Sequence, residues 1–270
     1  MAVNPYQWYP DLYSYQQRQW YAKALVWNPT QGKGKDAIDP RTMLRPHVYE
    51  ASCLAYKGLL REGEDQSILV SGESGAGKTE TVKILLGDLA SVQKGPDAVG
   101  VGNGGDNVIV QRVLDSNPLL EAFGNAQTIR NDNSSRFGKY LQLQFDRQSD
   151  LKCKLAGSKC EVYLLEKSRV TLHMPEERTY HIFYQLLAAP EATKAEIWSG
   201  LEDTDCESFC YVGYPTTQTI EGKTDAQRFH LTVDALNLIG VSDSLLNELW
   251  VSVCSGVALP SSIKSPNWVS

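Results

Sequence analysis

Gly72-Glu-Ser-Gly-Ala-Gly-Lys-Thr79 lies between Ser67-Ile-Leu-Val-Ser71, which reads as a short buried strand, and Thr79 to Ala90, where Val82, Leu85, Leu86 and Leu89 form one helical stripe. The octapeptide is a full G-x-x-x-x-G-K-T, and strand–loop–helix is the context in which that pattern binds phosphate. Gly72, Gly75 and Gly77 let the backbone adopt conformations closed to other residues and approach an anion closely. Successive amides and the helix N-terminus then surround the phosphates with positive potential. The run Gly72, Glu73, Ser74, Gly75, Ala76, Gly77, Lys78 and Thr79 is therefore the candidate phosphate-binding set. Lys78 supplies a point charge for the β- and γ-phosphates of a nucleotide, and the Thr79 hydroxyl a ligand for Mg²⁺.

Outward from this loop, Pro46 to Leu60 carries Val48, Ala51, Leu54, Ala55 and Leu59 on one face and predicts a helix. Tyr140-Leu-Gln-Leu-Gln-Phe145 alternates like a half-buried strand. Glu161-Val-Tyr-Leu-Leu165 and Arg169-Val-Thr-Leu-His173 read as two more strands, and Glu177 to Ala189 returns to helical spacing. Helices interleaved with buried strands predict an α/β layered domain. Asn28 to Arg41 and Lys94 to Asn107 are rich in turn residues and read as loops, the second one flexible. Val251 to Ser270, with two prolines and many serines, reads as an irregular tail.

The composition narrows the function classes. At 270 residues, 42% hydrophobic and 21% charged, the chain is a globular sequence long enough for a substantial core. A net charge of −6 does not favour nucleic acid or anionic membranes as partners. No apolar run is long enough to span a bilayer, and the first residues carry no secretory leader pattern. Cys53, Cys153, Cys160, Cys206, Cys210 and Cys254 are too scattered for a disulfide framework and read as reduced thiols of a cytosolic protein. The histidines are isolated from one another and no G-x-S-x-G occurs, so hydrolase chemistry centred on histidine has no support.

A second constellation, Asn131-Asp-Asn-Ser-Ser-Arg-Phe-Gly-Lys139, leads into the strand at Tyr140. Alone it is a polar turn. Beside a phosphate-binding loop, two adjacent hydroxyls and an Asn suit a segment that folds over a γ-phosphate and its metal and lets go after hydrolysis. The loop G-E-S-G-A-G-K-T-E together with N-x-N-S-S-R-F-G-K resembles the myosin motor family. Asn117-Pro-Leu-Leu-Glu-Ala-Phe-Gly-Asn-Ala126, Leu164-Leu-Glu-Lys-Ser-Arg-Val170 and Glu177-Arg-Thr-Tyr-His-Ile-Phe-Tyr-Gln-Leu186 extend the likeness. Asn4-Pro-Tyr-Gln-Trp8 is similar to the purine-side segment of the family's nucleotide pocket. Kinesins share the loop-and-switch logic but carry Ser-Arg-Ser-His where this chain has Ser135-Arg136-Phe137-Gly138.

The resemblance implies a P-loop NTPase fold with a mixed central sheet flanked by helices, and a cytoplasmic, cytoskeletal ATPase that moves on actin filaments. It implies that Lys78 neutralises phosphate oxygens, that Thr79 and Ser135 coordinate Mg²⁺, and that Ser134 contacts the γ-phosphate and organises water. Asn131 would hold the α/β-phosphate side, and Asn4, Pro5 and Tyr6 the purine side. Tyr13 reads either as an adenine contact or as ordinary packing. The likeness covers about Val3 to Leu249, with residues 250–270 departing from it. The family's D-x-x-G-F-E segment does not follow, and the N-terminal barrel does not precede. A fragment or truncated gene model is expected, lacking most of the actin-binding surface. The alternative is a nucleotide-binding module without motor activity. Without a glutamate from the missing segment, Arg136 is expected to be solvated.

Overall fold

The computed structural model describes residues 3–4, 7, 9–27, 40–95, 108–149, 152–212, 217 and 219–258. The chain forms two compact units, Met1–Leu114 with Leu141–Cys160 and Asp115–Tyr140 with Glu161–Ser270. Pro5, Tyr6 and most of the loops at Asn28–Arg41 and Lys94–Asn107 lie outside the described residues.

In the first unit, α1 (Tyr15–Ala22) starts at Ser14, whose hydroxyl accepts the Gln17 N–H and satisfies one of the helix's orphan donors. It runs on into a π-helical turn, Lys23–Trp27. Helix α2 (Val48–Arg61) is capped by the His47 ring, which accepts the Tyr49 N–H at 3.0 Å. Helix α3 (Lys78–Val92) follows the glycine loop. Their apolar faces meet around Tyr21, Leu25, Tyr49, Cys53, Tyr56 and Leu89. Fully burying one such aliphatic or aromatic side chain contributes about 1.5–3 kcal/mol. Helix α4 (Val108–Asp115) adds Val110 and Val113 against Leu86 and Ala90 of α3. Strands β3 (Gly138–Ser149) and β4 (Lys152–Tyr163) pair with each other. Leu141, Leu143 and Phe145 of β3 are half-buried while Gln142 and Gln144 are exposed, so the predicted alternation is borne out. Tyr13 meets His47 and Tyr49 edge-on or tilted, which gives it a packing role.

In the second unit, α5 (Asn117–Gly124) turns into β1 (Asn125–Thr128), which pairs antiparallel with β2 (Asn131–Ser135). Asn125 lies opposite Ser135 and Ala126 opposite Ser134, with a bulge before Thr128 and Asn131. Helices α6 (His181–Leu187), α7 (Glu191–Ile197), α8 (Asp225–Leu238) and α9 (Asp243–Val257) complete it. Tyr180, Ile182, Tyr184 and Leu186 meet Phe229 of α8 and Trp250 of α9 in one core.

Five expectations are corrected. Ser67–Ser71 is not a buried strand: it is unpaired, and Leu69 is 91% exposed. Apolar residues in a parallel strand are covered by neighbouring strands and crossover helices, and none among the described residues flanks this one. Among the described residues no mixed central sheet is formed; the described strands make two sheets of two strands each. Arg169–His173 is not a strand either. Residues Lys167–Val170 form a 3₁₀ turn in which buried Arg169 reaches back to Glu166, three residues earlier, at 2.7 Å. The helix expected from Glu177 starts only at His181, because Arg178 donates its N–H to Gln127 and Tyr180 bridges Ala126 of β1. Finally, the tail expected from residue 250 is helical to Val257. Trp250, Val253, Cys254 and Val257 are its buried face.

Candidate functional site

The glycine loop is built from its backbone. Gly75 and Gly77 sit at φ 78° and 86°, in the left-handed region where a Cβ is penalised. At Gly77 that turn hands the chain to α3, whose N-terminus has no side-chain cap. The first amides of a fifteen-residue helix are thus left to water or an anion. Lys78 Nζ donates to the carbonyl oxygens of Gly72 at 2.8 Å and Glu73 at 2.7 Å. Those partners are neutral, so they place the ammonium over the loop without cancelling its charge. Thr79 is exposed at the head of the helix. Asn4 Nδ2 donates to Gly75 O at 3.0 Å, so Asn4 braces the loop itself.

Helix α3 itself carries a buried carboxylate. Asp88 is fully buried and accepts hydrogen bonds from the Ser52 hydroxyl and, at 3.7 Å, the Cys53 thiol. The Arg18 guanidinium is 3.8 Å away. Desolvation pushes Asp88 up to about 6, the Ser52 hydrogen bond and Arg18 opposing it. Burial, with Asp88 adding to it, raises the Cys53 thiol well above its ordinary range.

In the second unit the serine segment is strand β2. Ser134 is 2% exposed and its Oγ accepts from Arg136 at 3.2 Å. Ser135 is exposed and donates its hydroxyl to Phe137 O. Asn131 Oδ1 accepts the Asn133 backbone N–H at 3.0 Å, an Asx turn that orients the Asn131 side chain. Arg136 is not solvated as expected: its Nε donates to Glu166 Oε2 at 2.6 Å. Burial alone would raise Glu166, but hydrogen bonds and charge from Arg169 and Arg136 outweigh it and hold the carboxyl below its usual range.

The four predicted residues Asn131, Ser134, Ser135 and Arg136 therefore share one short strand and its exit, and the glycine-loop residues share one arch with Asn4. What the motif reading missed is the layer behind β2. Asn133 donates from Nδ2 to Glu121 Oε2 at 3.2 Å, and its Oδ1 meets Asn125 Nδ2 at 2.9 Å and His181 Nε2 at 3.2 Å. Glu121 is in turn held by Arg228 at 3.1 Å. His181 is fully buried, and desolvation, then Arg178 and Arg228, keep it well below the ordinary histidine range. Asn133 stands inside the quoted segment and His181 inside a quoted helix, so both were visible, but without a partner to give them a role.

A family model of the myosin head (motor domain) matches residues 1–261, and the chain belongs to that family. The match passes beyond Leu249, where the sequence had been expected to leave the pattern. Among curated relatives, Myosin-52 of Schizosaccharomyces pombe is 37% identical over 254 residues, covering 90% of this chain and 15% of the relative. Myosin-9 of Arabidopsis thaliana is 40% identical over 243 residues, 90% of this chain and 14% of its own. Myosin-2 of Saccharomyces cerevisiae is 38% identical over 251 residues, 93% and 14% respectively. The chain thus spans about one seventh of the length of the relatives it matches.

Proposed function

We propose that this chain is the nucleotide-binding portion of an actin-based motor ATPase with a P-loop NTPase fold. The observation that carries the reading is the uncapped start of α3 beneath an ammonium held by two neutral carbonyls. A triphosphate meets there what it needs: backbone amides, a helix dipole and one positive charge. In this reading Gly72, Glu73, Ser74, Gly75, Ala76, Gly77, Lys78 and Thr79 cradle the β- and γ-phosphates of ATP. Asn131 takes the α/β side, and Ser134 addresses the γ-phosphate. Asn4, with Pro5 and Tyr6, borders the purine side.

The exposed hydroxyls of Thr79 and Ser135 are hard oxygen donors of the kind Mg²⁺ accepts alongside phosphate oxygens and water. They fit that ion as partial ligands, and no cluster of three or more His, Cys, Asp or Glu among the described residues offers a full protein cage. Bound Mg²⁺ supplies charge neutralisation at the phosphates. The chain's own contribution is position: Lys78 is poised for phosphate oxygens, and Arg136, through its bond to Ser134 Oγ, fixes that hydroxyl's orientation. Actin filaments as partner, and a cytoplasmic, cytoskeletal setting, follow from the family alone. Titrating the chain with a fluorescent ATP analogue in Mg²⁺ and in EDTA tests the nucleotide reading. Saturable binding that weakens in EDTA supports it, and no binding in either buffer contradicts it.

A further inference from the structure

Behind the serine segment, a chain of hydrogen bonds dictates its own proton positions. Arg228 donates to Glu121, whose carboxylate only accepts, so the Asn133 group facing Glu121 is the amide NH₂. The Asn133 oxygen is thereby turned toward Asn125 and His181, and the His181 nitrogen facing it at 3.2 Å must carry the ring proton. The other ring nitrogen, Nδ1, is buried with no hydrogen-bond partner among the described residues. A second proton there would be placed, without an acceptor, near Arg178 and Arg228. His181 is consequently a neutral donor in one tautomer, committed to Asn133.

We propose that His181 is a positioning residue: through Asn133 it holds Asn131–Ser135 in the register from which Ser134 and Ser135 meet a bound nucleotide. The bond is single, but its acceptor sits between the two predicted contact groups. Asn133 bonds backward to Asn131 Oδ1 and is followed directly by Ser134. Three elements converge on that one amide, α5 through Glu121, β1 through Asn125 and α6 through His181, and Arg228 of α8 backs Glu121 from behind. An element anchored at its midpoint keeps its register even when its outer residues change partners. The part of this inference that concerns nucleotide rests on the function proposed above; the part that concerns the register of β2 does not.

The test uses the full chain with His181→Phe, which removes the donor, and His181→Gln, whose amide restores one. Hydrogen–deuterium exchange is read over residues 131–136, with α8 as the folding control, and fluorescent ATP-analogue affinity is measured in parallel. His181→Phe is expected to speed exchange in β2 by about tenfold while α8 stays protected, and to weaken nucleotide by a similar factor. His181→Gln is expected to recover both. Asn133→Ala, which removes the same bond together with those to Glu121 and Asn125, is expected to speed β2 exchange at least as much as His181→Phe. Unchanged β2 exchange in both His181→Phe and Asn133→Ala, or no recovery in His181→Gln, overturns the proposal. If the parent binds no nucleotide yet its exchange responds as described, the proposed function falls while the positioning role stands.

Discussion

Arg136 Nε and Glu166 Oε2 are 2.6 Å apart, and the same carboxylate oxygen takes Arg169 Nε at 2.7 Å. One acid thus anchors both the exit of β2 and the 3₁₀ turn that follows β4. Because Arg169 is only 6% exposed, it would lose its principal counter-charge if Glu166 were neutralised.

The pH dependence follows from the sign of that shift. Glu166 is held below its usual value when folded, so its contribution to stability is fully present above the unfolded carboxylate range. It is lost as pH falls through the lower, folded value, that is, below about 4.5. Glu166→Gln is expected to lower the unfolding midpoint at pH 7 and to flatten its decline in acid. A urea-melt series from pH 7 to pH 3 reads this; parallel curves for parent and variant would contradict it.

Asp88 has the opposite sign. Burial raises it from the ordinary 3.8 to about 6, so its ionised form costs the folded state about 3 kcal/mol that is absent below pH 3.8. The penalty grows as pH rises from 3.8 to 6 and is constant above. Asp88→Asn, which keeps an acceptor for Ser52, is expected to stabilise the chain at pH 7.5, by at most that amount, and to make no difference near pH 4. Chemical denaturation at the two pH values checks it, and a destabilised variant at pH 7.5 would contradict it.

Trp250 packs on Phe229 with ring centroids 5.0 Å apart and is 3% exposed. Truncating a buried aromatic of this kind costs about 3–5 kcal/mol. Trp250→Ala is therefore expected to lower the denaturation midpoint sharply, whereas the same substitution in an irregular tail would be silent.

That difference marks where sequence reasoning stopped. Helices α2 and α3 and the strand around Leu143 were legible because their burial follows a local period. The stripe of α9 begins at Trp250, and a window opened one residue later, among serines and a glycine, hid it. Ile68 and Leu69 are apolar enough for a buried strand, but such a strand exists only through neighbours distant in sequence. The site shows the same division. Lys78, Asn131, Ser134 and Ser135 stood out as contiguous patterns carrying their own chemistry. Arg136 was recognised while its partner Glu166, thirty residues on, was not, because an ion pair leaves no mark in spacing.

The central claim is that the ammonium of Lys78, resting on the carbonyls of Gly72 and Glu73, is held ready for nucleotide phosphate. Lys78→Ala removes the charge from a partly exposed position outside the core, so the fold is expected to survive, as circular dichroism would show. The decisive measurement is the affinity of parent and Lys78→Ala for a fluorescent ATP analogue in Mg²⁺. The account predicts a loss of about 10- to 100-fold, the scale on which one charge-assisted phosphate contact acts; equal affinity of the two proteins would contradict it.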